Sequence, residues 1–307
     1  MTSLVLKRLL TAIPTLLVLV TLTFFLMRLA PGGPFDRARV MPPAIEKALA
    51  AEYHLDESLP RQYARYLSGL ARGDLGPSFQ YEGYEVTELI AAGFPVSCLL
   101  GVCALAIGLV VGCALGIVAA LRHDRLADLG VMSAAMIGIS TPNFVLAPLL
   151  VLVFAVTLGW LPAGGWDLSQ PSTLVLPVVA LAAPQVAYIA RLMRGSMIEV
   201  LQSTFIRTAR AKGLSPTRVV LVHALKPAFM PVLSYLGPAA AGIITGSVVI
   251  EQVFGLPGIG RYFVQAALNR DYTLVLGVVV FYGALIIVLN LVVDLLYATL
   301  DPRVRAA

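Results

Sequence analysis

Long apolar runs separated by short polar segments dominate the hydropathy pattern of this chain. A helix needs about 20 apolar residues to cross a hydrocarbon core of about 30 Å. Runs of that length occur in six places, at about 9–29, 97–121, 129–158, 173–191, 228–250 and 273–297. The pattern predicts an all-α polytopic membrane protein with six transmembrane helices.

Composition supports this class. Of the 307 residues, 59% are hydrophobic and only 13% are charged, against about 25% charged in soluble domains. The net charge of +5 does not indicate nucleic-acid binding, because the basic residues alternate with the apolar runs. The three cysteines and three histidines have no metal-ligand spacing, so no metal site is assigned.

The basic residues predict the orientation of the spans. Lys and Arg accumulate in cytoplasmic loops, and six spans place four basic segments on one side. These are the N-terminus, the 122–128 loop, the 191–227 loop with seven Lys and Arg, and the C-terminal tail. Both termini are therefore expected in the cytoplasm, and the first span is expected to be retained rather than cleaved as a signal peptide.

The spans divide the chain into four parts. We expect the first helix at 1–30, an extracytoplasmic helical insertion at 31–94, a membrane core at 95–298, and a cytoplasmic tail at 299–307. Within the insertion, "PPAIEKALAAEYHL" and "SLPRQYARYLSGLARGD" read as short amphipathic helices. Ser58 is a candidate cap of the second and Gly73 a candidate terminator.

Motifs for chemistry are missing from the sequence. It contains no phosphate-binding G-x-x-x-x-G-K-[ST], no H-E-x-x-H and no G-x-S-x-G, so no catalytic residue is assigned and an enzyme is not expected. An ion-driven carrier should show carboxylates or histidines near the bilayer midplane. The spans show none there, so the energy source is expected in another protein.

Two sets of residues in and beside the spans are candidates for a role in transport. Polar side chains near helix-bending prolines are candidates to line a translocation path: Ser140, Thr141, Asn143, Ser234, Tyr235 and Thr245. The turn "GLPGIG" after the fifth span is a candidate outer gate or structural element: Glu251, Gly255, Pro257, Gly258 and Gly260. Glu251 and Arg28 are expected to reach the outer membrane interface.

The 192–227 loop is too long for a simple return to the membrane. Ser196, with a glutamate three residues later, has the spacing of a capping box, which predicts a helix start there. That helix is expected to run through Phe205 and to stop at Gly213. Ser215-Pro216 predicts a second start, and Lys226-Pro227 predicts the next break.

This loop resembles the "EAA" loop of ABC importer permeases. Arg207, Thr208 and Ala209 stand where the family has Glu-Ala-Ala, and Gly213 and Leu225 match its spacing. The stretch "IRTARAKGL" with "HALKPA" is similar to the peptide branch of the family, closest to its oligopeptide members. "RLAPGGPFD", "GDLGPS", "SMIEVL", "VIEQVFGLPGIG" and "LYATLDPR" agree with that branch over the whole chain.

The resemblance implies a type I ABC importer permease fold in a bacterial cytoplasmic (inner) membrane. It implies a second homologous permease subunit, two ABC ATPase subunits that bind ATP and Mg, and an extracytoplasmic peptide-binding protein. No cofactor is expected on this chain itself. Residues expected to couple to the ATPases are Arg207, Thr208, Ala209, Arg210, Ala211, Lys212, Gly213, Leu214, His223 and Leu225.

Three functions remain open at this level. Oligopeptide import leads, and a permease for dipeptides or nickel in the same family is the alternative. An ion-coupled secondary carrier that works alone is the third.

Overall fold

The computed structural model describes residues 2–29, 33 and 43–300. Every regular element in these ranges is helical. Along the chain they are α1 (Thr2–Leu29), α2 (Pro43–Glu52), α3 (Leu59–Leu70), α4 (Val86–Leu121), α5 (Leu126–Ser140), α6 (Asn143–Leu150), α7 (Ser172–Leu201), α8 (Thr204–Ala211), α9 (Pro216–Arg218), α10 (Leu225–Gly246), α11 (Val248–Phe254), α12 (Ile259–Asn269) and α13 (Tyr272–Leu300). π-helical turns follow α6 at Val151–Thr157 and α9 at Val219–Ala224. Most of "RLAPGGPFD" and of the expected 299–307 tail lies outside the described residues.

Five stretches of helix are long and apolar enough to cross a membrane, or six if one bent pair of helices counts as a single span. The bent pair is α5 with α6 and its π-helical continuation, which meet at 106°. One continuous helix had been expected over 129–158. Pro142 explains the break, because a proline disfavours helical geometry at the preceding residue, and Thr141 is indeed extended (ψ 112°).

The described residues form two compact units, and the larger one comprises 97–256 and 288–300 together with Thr2. Within it, α4 packs closely on α7 through a stripe of glycines. A Cβ on Gly108 would lie 2.7 Å from the Cβ of Gln185, and one on Gly116 would lie 2.6 Å from the carbonyl oxygen of Ala190. Because lipid offers no hydrophobic force between helices, such close backbone contact is a main source of their association.

Among the described residues, the smaller unit comprises 3–29, 33, 43–96 and 257–287. Its α2 and α3 confirm the two amphipathic helices, and Gly73 with φ +79° follows the second. Ser58 stands at the start of α3 but its side chain makes no capping hydrogen bond. Instead α3 is held by its aromatic face: Tyr63 packs edge-on against Phe24 of α1, with ring centroids 5.1 Å apart.

Asp271 joins two segments of the smaller unit. Its side chain is fully buried, and one carboxylate oxygen accepts hydrogen bonds from the Ser78 hydroxyl and the backbone N–H groups of Phe79 and Gln80. The other oxygen accepts from the backbone N–H of Leu274 in the first turn of α13. A single carboxylate therefore caps a helix and anchors the loop that precedes α4.

Candidate functional site

The segment 203–218 folds into a compact protrusion, which we call the knob. Its first helix, α8, is amphipathic: Ile206 and Ala209 are buried, whereas Phe205 is 49% exposed. The helix ends where Gly213 adopts φ +76° and donates its backbone N–H to the carbonyl of Arg210 at 2.9 Å. This left-handed glycine confirms the predicted helix stop.

The second half of the knob begins as predicted. Ser215 occupies the N-cap position of α9, its hydroxyl accepts from the backbone N–H of Arg218 at 3.4 Å, and Pro216 opens the helix. The chain then enters the π-helical turn Val219–Ala224, which carries His223 on its way to Leu225 at the start of α10.

Two predicted boundaries of this region were wrong. Ser196 does not cap a helix, because α7 continues unbroken to Leu201 and the next helix starts only after Ser203. No break occurs at Lys226-Pro227 either, since Pro227 lies in the first turn of α10. The helix is continuous through this point, because the preceding π-helical turn leads directly into α10 and the Leu225 N–H donates to the carbonyl of Val220.

The knob is anchored to two long helices. Ile206 and Ala209 belong to one apolar cluster with Met193 and Met197 of α7 and with Val232 of α10. Ile206, Met193 and Met197 have no measurable exposure. Since buried side chains of this size contribute about 1.5–3 kcal/mol each, the knob is held as a rigid extension of both helices.

The outer surface of the knob is basic. Between 203 and 218 the chain has four Lys and Arg residues and no acidic one. Six of the residues expected to couple to the ATPases are exposed: Arg207, Thr208, Arg210, Ala211, Lys212 and Gly213. Leu214 is half-buried and helps line a cavity of about 260 Å³ together with Arg210 and Pro216. The basic outer surface of the knob is complementary in charge to an acidic groove.

A partly buried ion pair joins α5 to α7 beside the knob's apolar anchor, because Arg194 lies between Met193 and Met197. Arg194 donates from Nε to Asp128 Oδ1 at 2.5 Å and from Nη2 to Oδ2 at 2.7 Å, while Asp128 is 3% exposed. His123 Nδ1 lies 3.1 Å from Asp128 Oδ2, and Asp124 contributes its backbone N–H. Sequence reasoning missed this bidentate clamp. The ligand atoms of His123, Asp124 and Asp128 lie within 4.8 Å of one another, but the guanidinium already occupies both Asp128 oxygens.

The candidate path residues make mainly local hydrogen bonds. Thr141, Ser234 and Thr245 each donate a hydroxyl to the carbonyl four residues earlier in the chain. Ser140 is exposed at the end of α5. Asn143 begins α6, and its Oδ1 is buried without a hydrogen-bond partner in the part of the chain that the structure describes.

Tyr235 differs from the other path candidates because it bridges two helices. Its hydroxyl donates to Gln185 Oε1 of α7 at 2.8 Å, and its ring stacks on Tyr188 with centroids 5.8 Å apart. An inter-helical hydrogen bond of this kind fixes the register of α10 against α7.

Glu251 does not reach the outer interface as expected. It is fully buried in α11 and accepts hydrogen bonds from the hydroxyls of Ser97 (2.6 Å) and Ser247 (2.5 Å). These serines replace part of the lost hydration of the carboxylate. Arg28, the other residue expected at the outer interface, is half-buried, and its guanidinium lies 3.6 Å above the Phe24 ring.

The glycines after α11 set the course of the backbone. Gly255 ends α11 with φ +66°, and Gly258 stands at the N-cap of α12. Pro257 between them is half-buried, and Gly260 is buried inside α12. The predicted tight turn is therefore confirmed: it is the short connection between the end of α11 and the start of α12.

Comparison with known proteins identifies the family. Residues 112–306 match the family model described as "Binding-protein-dependent transport system inner membrane component". The chain belongs to this family. Its relative in Haemophilus influenzae, "Oligopeptide transport system permease protein OppB", is 55% identical over 305 residues, covering 99% of this chain and 100% of the relative. "Dipeptide transport system permease protein DppB" of Bacillus subtilis is 47% identical over 291 residues, covering 95% of this chain and 94% of the relative.

Solved structures agree on the fold. A chain of the inward-facing MetNI methionine ABC transporter superposes with a TM-score of 0.56 at 18% identity, covering 70% of this chain and 97% of that one. This inner membrane component is thus a multi-pass helical membrane protein with the fold of ABC transporter permeases. The matched range 112–306 contains the knob, the Asp128–Arg194 clamp and Gly116, one of the glycines that close α4 onto α7.

Proposed function

We propose that this chain is the membrane-spanning permease subunit of an ATP-driven importer of oligopeptides, and that the knob couples it to ATP hydrolysis. The observation that carries the proposal is the knob itself: a basic, outward-facing helix whose inner side is packed on two membrane helices. The full-length similarity to oligopeptide permeases supports the substrate class.

The topology that fits this function has six spans, with the bent pair α5–α6 counted as the third. Both termini and the knob then lie in the cytoplasm, where the basic segments belong. The insertion at 31–94 lies on the extracytoplasmic side. The location is the bacterial cytoplasmic membrane.

An importer of this kind requires separate subunits for ATP hydrolysis, for the translocation path and for peptide delivery. The chain has no phosphate-binding motif, so two ATPase subunits bind ATP and Mg and receive the knob in an acidic groove. A second homologous permease completes the path, and an extracytoplasmic binding protein delivers the peptide. This chain is a non-catalytic subunit.

Co-purification tests the coupling role. Phe205→Ala removes the exposed aromatic side chain of α8 without touching the buried face, and we expect the ATPase subunits to be lost from the purified complex. Phe144→Ala is the matched control, since Phe144 is also exposed (63%) but lies outside the knob. Full retention of the ATPases by the Phe205 variant would contradict the proposal.

Dipeptide import is the second candidate, favoured by the 47% identity to the Bacillus subtilis permease. Uptake assays with labelled peptides of two to five residues separate the two. Preference for dipeptides over longer peptides would replace the oligopeptide assignment.

A further inference from the structure

The two halves of α7 are exposed on different sides. In the N-terminal half, Val175 and Val179 are exposed. In the C-terminal half, Tyr188 (43% exposed) and Arg191 are exposed instead. Because a helix turns by about 100° per residue, Tyr188 and Arg191 share one side of α7, and Tyr188 lies opposite Val179. We call the side with Tyr188 and Arg191 the polar face of α7. The proposed coupling function does not use it.

Tyr188 lies deep in the membrane. Its neighbour Ile189 packs on Gly112 of α4, since a Cβ on Gly112 would lie 2.8 Å from the Cβ of Ile189. The apolar run of α4 ends at Leu121, directly before the basic segment 122–125. Gly112 is about 14 Å along the helix from that end, which is close to half of a hydrocarbon core of about 30 Å. Tyr188 is therefore near the middle of the bilayer.

The surface of α4 at the same level is apolar. Val110, between the glycines that contact α7, is 70% exposed, and Val111 is 41% exposed, as suits contact with lipid tails. Tyrosines that face lipid collect at the membrane surface, and charged groups within spans face the bundle interior or a water-filled cavity. The long side chain of Arg191 can extend toward the membrane surface, but Tyr188, one turn deeper, cannot. The polar face therefore meets an aqueous space.

The Tyr188 ring is held in place while its hydroxyl stays available. The ring stacks on Tyr235 at a centroid distance of 5.8 Å and an interplanar angle of 22°. Tyr235 is fixed by its hydrogen bond to Gln185 at 2.8 Å, and Gln185 packs on Gly108. The Tyr188 hydroxyl makes no hydrogen bond within the part of the chain that the structure describes. Its position is set before any ligand arrives.

We propose that the polar face of α7 lines the cytoplasmic half of the translocation path and that Tyr188 contacts the backbone of the passing peptide. A phenol hydroxyl donates and accepts hydrogen bonds, so it pairs with a peptide N–H or C=O whatever the side chains are. Arg191, one turn nearer the cytoplasm, is suited to the carboxylates of the same peptide. The peptide contact rests on the proposed import function, whereas the aqueous environment of the polar face rests on its exposure alone.

Photo-crosslinking during transport tests the contact. Tyr188 is replaced by p-benzoylphenylalanine, whose photoexcited ketone abstracts a hydrogen atom from a nearby C–H group and then forms a C–C bond with it. The importer is reconstituted in liposomes with its ATPase subunits and binding protein, and is irradiated while it transports radiolabelled trialanine. We expect radiolabel on this chain when ATP is present and loss of that label when ATP is omitted.

Val110 is the matched control position, because it lies at the same level of the membrane on the apolar surface of α4. p-Benzoylphenylalanine at position 110 should take up no peptide label. Tyr188→Phe gives a second measurement, since it keeps the ring and removes only the hydroxyl. Its uptake rate should fall about two- to tenfold, as for loss of one hydrogen bond, while Tm stays unchanged.

Water access to the polar face is tested without transport. In a chain whose three cysteines (Cys98, Cys103 and Cys113) are replaced by alanine, Tyr188→Cys should react with a charged thiol reagent. Val110→Cys should not react, because a charged reagent does not enter lipid. Equal reactivity at the two positions would overturn the aqueous environment of the polar face.

The outcomes separate the two proposals. A crosslink from position 188 to the second permease instead of the peptide would show a subunit interface and overturn the path assignment. Equal peptide labelling at positions 188 and 110, or unchanged uptake by the Tyr188→Phe variant, would overturn the backbone contact. ATP-driven uptake by the unchanged protein is measured in parallel. Uptake without a peptide adduct at 188 refutes only the contact, and a reactive Tyr188→Cys variant without ATP-driven uptake by the unchanged protein refutes only the import function.

Discussion

Gly213 offers the sharpest test of the rigid-knob interpretation. Its φ of +76° is a left-handed conformation, and a Cβ built there meets no atom within 4 Å. Alanine therefore introduces backbone strain without a clash, at a cost of about 1–2 kcal/mol. Proline fixes φ near −65° and removes the N–H that bonds to the Arg210 carbonyl at 2.9 Å. We expect a cost of about 3 kcal/mol or more, so α8 cannot end where it does now.

The assay compares peptide uptake and ATP hydrolysis by the reconstituted importer. The Gly213→Ala variant should lose uptake by about five- to thirtyfold if its strain energy falls entirely on the coupled state. The Gly213→Pro variant should lose uptake altogether, while the chain remains in the membrane and ATP is still hydrolysed. Hydrolysis continues because the ATP site is in another subunit, and only the transmission of movement is broken.

Gly195→Ala is the matched control for these variants. Gly195 lies inside α7, and a Cβ there also meets no atom within 4 Å. Alanine favours a helix interior over glycine by about 1 kcal/mol, so uptake should be unchanged. Uptake by the Gly213→Pro variant at the rate of the unchanged protein would refute the view that the shape of the knob carries the coupling.

Three further predictions concern stability. Asp128→Asn leaves its arginine partner on α7 without a counter-charge and should cost about 1–3 kcal/mol, because the arginine is only partly buried; the loss is seen as a lower Tm in detergent. The Asp124→Asn control, with a side chain 86% exposed, should leave Tm unchanged. Gly116→Val forces α4 away from α7 and should cost about 1–3 kcal/mol. Gly130→Val is the control: a Cβ on Gly130 meets no atom within 4 Å, so Tm should not fall. Asp271→Asn puts an amide among the N–H donors of the preceding loop, so limited proteolysis between 76 and 85 should accelerate; an unchanged cleavage rate would contradict the anchoring role.

Features set by local backbone chemistry could be predicted from the sequence. The stop at Gly213 and the start at Ser215 depend on a few neighbouring residues, and both are present. Ser196 has equally good local chemistry, yet α7 overrides it because the buried Met193 and Met197 continue the apolar face through that point. Pro227 failed as a break because it follows a π-helical turn that leads directly into α10, an irregularity that the local residues did not reveal.

Long-range pairings were beyond such reasoning. Asp128 and Arg194 are 66 positions apart, and each alone has an ordinary local explanation as a charge at a span end. The spacing of Gly108, Gly112 and Gly116 was visible as two successive G-x-x-x-G patterns, the signal of close helix contact in membranes. It could have predicted that α4 packs tightly, but not that α7 is its partner.

The middle and the C-terminal end of α7 are stabilised by different interactions, and this explains how the knob can act on a membrane helix. In the membrane, α7 is fixed by backbone contact with glycines of α4 and by the Tyr235–Gln185 hydrogen bond to α10. At the knob it is fixed by burial of Ile206 against Met193 and Met197, a force that requires water. Because one unbroken helix carries both sets of contacts, a displacement of the knob moves the contacts with α4 and α10 as a rigid body. Flexibility introduced within 193–201 should therefore uncouple the importer even though every contact of the knob with its partner is retained.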